Sequence, residues 1–141
     1  MGEDQAMAVV VVGYVPNARG RAALDHALVE ARRRDALLVV VNSSRGDALV
    51  DSDFLQGQAL LDLHEELTAS GVRAEVRQPV RGRDVSEELT AVVEETGAEL
   101  LVIGLKKRSA VGKLLMGSAA QRILLDVECP ILGVKSSPTG A

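Results

Sequence analysis

The chain has 141 residues, of which 47% are hydrophobic, and it carries a net charge of −4. This length and composition predict one domain over residues 1–141 with a packed core, and flexible tails at 1–6 and 136–141. One Tyr, one Phe and no Trp occur, so the chain lacks the aromatic residues on which single-stranded nucleic acids stack. Since an acidic balance also disfavours contact with a phosphate backbone, we expect no nucleic-acid partner.

The single cysteine, Cys129, excludes an internal disulfide and a cysteine-based zinc site. No metal ligands are assigned from the sequence. The first residues do not resemble a signal peptide, and no apolar run is long enough to span a bilayer. We therefore expect a soluble, cytoplasmic protein without a membrane partner.

The first predicted elements are a strand, a helix and a second strand. The β-branched run at 8–13 is typical of a strand that is covered on both faces. Apolar residues at helical spacing predict a helix over 20–34, with arginines in its last turn, where they oppose the helix dipole. The apolar run 37–41 predicts the second buried strand.

The middle of the chain repeats this order. Leu60, Leu63 and Leu67 mark one face of a helix that stops at Gly71. Apolar and charged residues alternate over 73–77, which predicts a strand near the edge of the sheet.

A third helix and a fourth strand follow. Asp84 and Glu87 have the spacing of a capping box, and Gly97 is placed to end the helix that they begin. The apolar run 100–103 predicts the fourth strand, which we expect to break at Gly104.

The last predicted elements are a helix from about Ser118 to Asp126 and a strand over 131–134. Ser118 is a suitable N-cap for this helix. Strands that alternate with helices through short connections predict an α/β fold with a doubly wound parallel sheet, helices on both faces and right-handed crossovers.

A candidate ligand site lies at the carboxyl ends of the strands, where ligands of such sheets bind at the reversal of the winding. The connection 104–118 leads from a strand into a helix N-terminus, whose free N–H groups and dipole favour an anion such as phosphate. Arg122 lies one helical turn after Ser118 and reaches either this pocket or the surface. Tyr14 packs either on a ligand ring or, as we favour, over the core beside the first strand.

Three segments near the C-terminus resemble the signature of the universal stress protein family: 104–118, 121–123 and 129–132. The first predicted strand with Gly13, followed by Arg21 to Leu24, is similar to the opening of that family. The resemblance implies a five-stranded sheet in the order 3-2-1-4-5. It also implies a homodimer, commonly through the last strand, here Ile131, Leu132, Gly133 and Val134. Pairing with a second copy would cover an apolar edge strand.

The nucleotide-binding branch of the family carries a glycine motif. It runs as glycine, two residues, glycine, nine residues, then glycine with serine or threonine. Gly104, Gly117 and Ser118 match it, whereas Lys107 replaces the second glycine. The resemblance therefore implies that ATP, a related adenine nucleotide or another phosphorylated ligand binds here, with Mg²⁺ only together with a nucleotide. The implied phosphate-binding residues are Gly104, Lys107, Gly117, Ser118 and Ala119.

The nucleoside side of the site departs further from the family pattern. Val15 stands where the nucleotide-binding branch usually has an aspartate that contacts the nucleoside. The candidate nucleoside rim is Gly13, Tyr14, Val15, Val41 and Asn42. Two hypotheses follow: a regulatory module that binds an adenine nucleotide, or a dimeric stress-response interaction protein that has lost nucleotide binding.

An enzymatic role is not expected. The sequence Gly112-Lys113-Leu114 imitates part of a P-loop, but Leu114 replaces the Ser or Thr that would hold Mg²⁺. No base, nucleophile and orienting group can be placed together in one crevice, so no catalytic residue is assigned. Slow hydrolysis of ATP stays open as the one enzymatic alternative.

Overall fold

The computed structural model describes residues 7–42, 55–78, 84–105 and 117–136. Its elements in chain order are β1 (Val9–Gly13), α1 (Ala18–Arg34), β2 (Leu37–Val41), α2 (Gly57–Ser70), β3 (Ala74–Arg77), α3 (Val85–Thr96), β4 (Leu100–Leu105), α4 (Ser118–Asp126) and β5 (Ile131–Lys135). Strands and helices alternate throughout, as the sequence predicts.

The five strands form one parallel sheet in the order β3-β2-β1-β4-β5, which confirms the predicted fold class. Gly13 at the end of β1 lies beside Val41 at the end of β2. On its other side β1 pairs with β4, from Val10 beside Leu100 to Val12 beside Val102. The winding reverses between β1 and β4, and the carboxyl ends of these two strands therefore define the crevice in which a ligand is expected.

The core consists of two apolar layers, one on each face of the sheet. Alternate residues of a strand point to opposite faces. Val10 and Val12 accordingly pack with residues of α1 and α2, whereas Val9 and Val11 pack with residues of α3 and α4. The central strands are covered on both faces, which explains why their sequences are continuous apolar runs.

Several local predictions are confirmed residue by residue. The β2 and α4 bounds agree with the predicted ones. The capping box of α3 is present, because the Asp84 side chain accepts the Glu87 N–H at 2.9 Å and the Glu87 side chain accepts the Asp84 N–H at 3.2 Å. Gly97 ends α3 at a φ of 66°, a left-handed conformation that favours glycine.

The start of α1 was predicted two residues late. Asn17 caps this helix, with its side-chain oxygen accepting the Gly20 N–H at 2.9 Å, and the helix begins at Ala18. The signal was present in the sequence, because asparagine is a preferred N-cap residue. The predicted limits of β1, β3 and β5 differ from the observed ones by one residue each.

Two predictions around the candidate site are wrong. β4 does not break at Gly104 but continues to Leu105, because Gly104 pairs with Val134 of β5. Ser118 is not the N-cap of α4 but its first residue, since Gly117 has the extended backbone of the capping position. As glycine, Gly117 has no side chain with which to cap α4.

The expected tails at 1–6 and 137–141 lie outside the described residues, whereas Ser136 is described and its N–H donates to the Leu105 carbonyl at 3.3 Å. None of the helices in the described part of the chain is long and apolar enough to cross a membrane.

Candidate functional site

The crevice at the ends of β1 and β4 is bounded by the first turns of two helices. Four residues separate the end of β1 from the start of α1. α1 covers one face of the sheet, while α4 lies on the other face. The positive ends of both helix dipoles therefore lie near the same edge of the sheet. The two helix starts differ, however, because the Asn17 side chain caps α1, whereas the N-cap residue of α4 is Gly117, which has no side chain.

Gly104 lies directly under the first turn of α1. A Cβ at this position would lie 2.3 Å from the carbonyl oxygen of Arg19 and 2.5 Å from its Cγ. Gly20 is as tightly placed, since its Cβ would lie 1.8 Å from the carbonyl oxygen of Val15. Both glycines thus allow backbone to approach backbone where β1 passes into α1 and α1 rests on β4. The structure assigns Gly104 a packing role that the motif alone does not reveal.

Gly117 has the opposite environment. No described atom lies within 4 Å of the position that its Cβ would take, and its φ of −69° is accessible to any residue. Ser118 and Ala119 follow it with exposed side chains. The first N–H groups of a helix have no acceptor within the helix. The start of α4 therefore presents backbone donors beside a position that no described atom occupies, which is the arrangement of a helix-terminal anion site.

Arg122 extends from α4 to the N-terminus of α3. Its Nη1 lies 3.3 Å from Asp84 Oδ2, and the two side chains are 55% and 50% exposed. The pKa of Asp84 is held below its usual value, chiefly by the Glu87 backbone N–H and then by the Ser86 hydroxyl. Of the two alternatives for Arg122, the structure shows the surface pair.

Asn42, a predicted residue of the nucleoside rim, is buried. Its side chain forms hydrogen bonds to Tyr14, Leu55 and Gln78, a group of contacts that we call the bracket. Its side chain is 0% exposed. Its Nδ2 donates to the Tyr14 carbonyl at 3.0 Å, while its Oδ1 accepts the Leu55 N–H and the Gln78 side-chain N–H at 2.9 Å each. The bracket ties the ends of β1 and β3 to the residues that precede α2. A polar residue directly after a buried strand was the sequence signal for this role.

The other rim residues differ in how far they face solvent. Tyr14 is 9% exposed and packs with residues of α1 and α2, which confirms the favoured interpretation that it covers the core. Burial raises the pKa of its hydroxyl above the usual value. Val41 is 2% exposed. Val15 and Gly13 are half-buried and follow one another closely at the end of β1.

Lys107 lies outside the described residues, as does most of the connection between β4 and α4. Within the described ranges, no group of three or more His, Cys, Asp or Glu side chains is placed to hold a metal ion.

The comparisons with known proteins agree with this architecture. The model of the universal stress protein family matches residues 7–135, and the chain belongs to this family. A universal stress protein of Mycolicibacterium smegmatis is 49% identical over 127 residues, covering 90% of this chain and 97% of the relative. A solved universal stress protein from Archaeoglobus fulgidus superposes with a TM-score of 0.70 at 24% identity, covering 95% of this chain and 98% of the other.

Some of the similar structures hold adenine nucleotides. A universal stress protein from Archaeoglobus fulgidus in complex with dAMP has a TM-score of 0.62 at 24% identity and covers 92% of this chain and 98% of its own. A complex with cAMP has a TM-score of 0.66 at 21% identity, covering 94% and 100%. A family member from Arabidopsis thaliana with AMP bound has a TM-score of 0.62 at 14% identity, covering 94% and 93%.

The environments of the two motif glycines predict effects of different size on the free energy of unfolding. Gly104→Ala should lower the free energy of unfolding by about 1–3 kcal/mol, because the added methyl group meets the backbone of Arg19. Gly117→Ala should cost less, under about 1 kcal/mol, because it meets no described atom and only replaces glycine by a poorer N-cap residue. Urea denaturation of both variants measures the difference. Equal losses of stability would show that the packing at Gly104 has been misassigned.

The bracket around Asn42 predicts a larger effect than an exposed hydrogen bond. Asn42→Ala leaves buried groups of Tyr14 and Leu55 without their partner, and it should cost about 2 kcal/mol of unfolding free energy. Gln58→Ala, which removes an exposed bond to Asp62, is the matched control and should cost under about 0.5 kcal/mol. Denaturation curves and hydrogen exchange of the Leu55 amide test this. Unchanged protection of that amide in Asn42→Ala would refute the bracket.

Proposed function

We propose that this protein is a cytoplasmic regulatory module of one domain that binds an adenine nucleotide, with the phosphate on the first turn of α4. The observation that carries the proposal is the start of this helix at the point where the sheet reverses its winding: its N-cap residue is Gly117, and no described atom lies within 4 Å of the position that a Cβ would take there. Backbone N–H groups and the helix dipole act together on an anion there. Ser118 adds a hydroxyl donor at the same turn.

The phosphate half of the site consists mainly of backbone. The N–H groups of Ser118 and Ala119 would donate to phosphate oxygens, and the missing side chain of Gly117 leaves room for them. Gly104 contributes indirectly, since it seats α1 and so keeps the end of β4 in place. Lys107 would add a positive charge at the second motif position. The dAMP, cAMP and AMP complexes of proteins with the same fold support an adenine nucleotide as the ligand class.

The nucleoside half offers mainly apolar contact. Val15 and Gly13 are the rim residues that retain exposure, whereas Tyr14, Val41 and Asn42 are buried. A purine would pack on Val15, and no aspartate is present at that position to hold the sugar. We therefore infer that the phosphate dominates the affinity and that discrimination between sugars is low. Mg²⁺ would enter only as the partner of ATP, and we assign no catalytic step.

Nucleotide binding should raise the stability of the purified protein. A nucleotide at a hundredfold excess over its dissociation constant adds about 2.7 kcal/mol to the free energy of unfolding. We expect thermal denaturation with AMP or ATP to show this gain, and adenosine to give a smaller one. In Gly117→Val the added side chain occupies the open space at α4, so the gain should disappear while the unliganded protein still folds. The matched control is Thr68→Val on the exposed surface of α2, which should keep the full gain.

The opposite outcome would favour the second hypothesis. If no adenine nucleotide stabilises the wild-type protein, and none is released when the freshly purified protein is denatured, the chain is an interaction protein whose pocket no longer binds nucleotide. A full gain in Gly117→Val would place the site elsewhere in the molecule.

We further propose that the protein forms a homodimer through β5. This strand pairs with β4 on one side only and ends the sheet. The Leu101 N–H donates to the Pro130 carbonyl and the Ser136 N–H to the Leu105 carbonyl, at opposite ends of the ladder. In the alternation of a parallel ladder, Leu132 and Val134 direct their backbone groups at β4, while Gly133 and Lys135 direct theirs at the open edge. An apolar open edge is stabilised by a second copy.

The dimer predicts a mass of twice the 14.9 kDa chain in sedimentation equilibrium. Lys135→Pro removes a donor from the open edge without removing a β4–β5 bond, and it should shift the equilibrium towards the monomer. Lys135→Ala keeps the donor and should remain dimeric. A wild-type protein that sediments as a monomer at all concentrations would contradict this assignment.

A further inference from the structure

The ion pair between Arg122 and Asp84 links α4, whose first turn is the proposed phosphate position, to the start of α3. Arg122 follows Ser118 by four residues, so both lie on the same face of α4. Side chains of a helix lean towards its N-terminus, which directs Arg122 back over the first turn. Its guanidinium meets the carboxylate of Asp84 at the start of α3.

The two carboxylate oxygens of Asp84 have separate tasks. Oδ1 accepts the Glu87 N–H at 2.9 Å and the Ser86 hydroxyl at 2.8 Å, and so caps α3. Oδ2 accepts from Arg122 at 3.3 Å. Loss of Arg122 would therefore leave the cap intact and the carboxylate still bonded. Nothing in the cap requires the arginine.

The pair is also weak enough to exchange. Both side chains are at least half exposed, and exposed pairs with a single contact contribute little to stability. A phosphate carries more charge than one carboxylate and accepts charge-assisted bonds from a guanidinium. A phosphate on the first turn of α4 would thus compete with Asp84 for the same cation.

We propose that Arg122 is a phosphate-binding residue that Asp84 holds in reserve, and that an anionic ligand takes the arginine from the carboxylate when it binds. This inference rests on the proposed nucleotide site. Asp84 then acts as an internal competitor that lowers the affinity for phosphorylated ligands, and ligand binding releases the link between α3 and α4. This exchange favours ligands that carry a phosphate and does not depend on the base of the nucleotide.

A double-mutant cycle tests the exchange by titrating AMP into the full-length protein. Arg122→Gln should weaken AMP binding by roughly tenfold, through the loss of a charge-assisted bond. Asp84→Asn keeps a good N-cap residue and removes the competing charge, so it should tighten AMP binding by about threefold. In the double variant the gain from Asp84→Asn should vanish, because no arginine remains to be released. Adenosine, which lacks the phosphate, is the matched ligand and should respond to neither substitution.

Each outcome decides the matter. A gain from Asp84→Asn that persists in the Arg122→Gln background would show simple charge repulsion and overturn the exchange. AMP binding that is unchanged by Arg122→Gln would overturn it as well, while leaving the nucleotide site in place. If the wild-type protein binds AMP nowhere, the proposed function fails and the exchange fails with it. Hydrogen exchange of the Glu87 amide in Asp84→Asn, which we expect to stay protected, verifies that the cap of α3 is kept.

Discussion

The contact on which the site depends is the approach of α1 to the end of β4. Gly104 and Gly20 both occupy positions where a Cβ would lie within 2.5 Å of a backbone oxygen, from Arg19 and Val15 respectively. The turn between β1 and α1 can therefore approach the end of β4 closely, at the point where the winding of the sheet reverses. This contact fixes one wall of the crevice, and at the opposite wall the N-cap residue of α4 is Gly117, which has no side chain. This difference between the two walls supports our proposal of an anion site at α4 rather than at α1.

Buried polar groups stabilise the same edge of the sheet from within. The buried Asn42 side chain donates to the Tyr14 carbonyl and accepts from the Leu55 N–H and the Gln78 side chain. Such a network is costly to break, since each group would lose its partner in a medium of low dielectric constant. These bonds hold Tyr14, Leu55 and Gln78 around Asn42, and the proposed ligand chemistry falls to the exposed start of α4 and to the half-buried Val15.

Most of the fold follows from periodicity and capping residues. The β2 and α4 bounds, the capping box at Asp84 and the end of α3 at Gly97 were predictable because each depends on neighbouring residues. The role of Gly104 was not, because it depends on Arg19, which is distant in the sequence. For the same reason Asn42 was assigned to the rim: its partners Leu55 and Gln78 are brought to it only by the folded chain. Strand order came from the family resemblance rather than from any local pattern.

In our proposal the first amides of α4 hold the phosphate of an adenine nucleotide. The most direct measurement is a titration of the ¹⁵N-labelled protein with AMP, followed by backbone amide NMR. We expect the largest chemical-shift changes at the amides of Gly117, Ser118 and Ala119, and we expect adenosine to leave the chemical shifts of these amides almost unchanged. Saturable AMP binding that shifts other amides and leaves these three in place would contradict it.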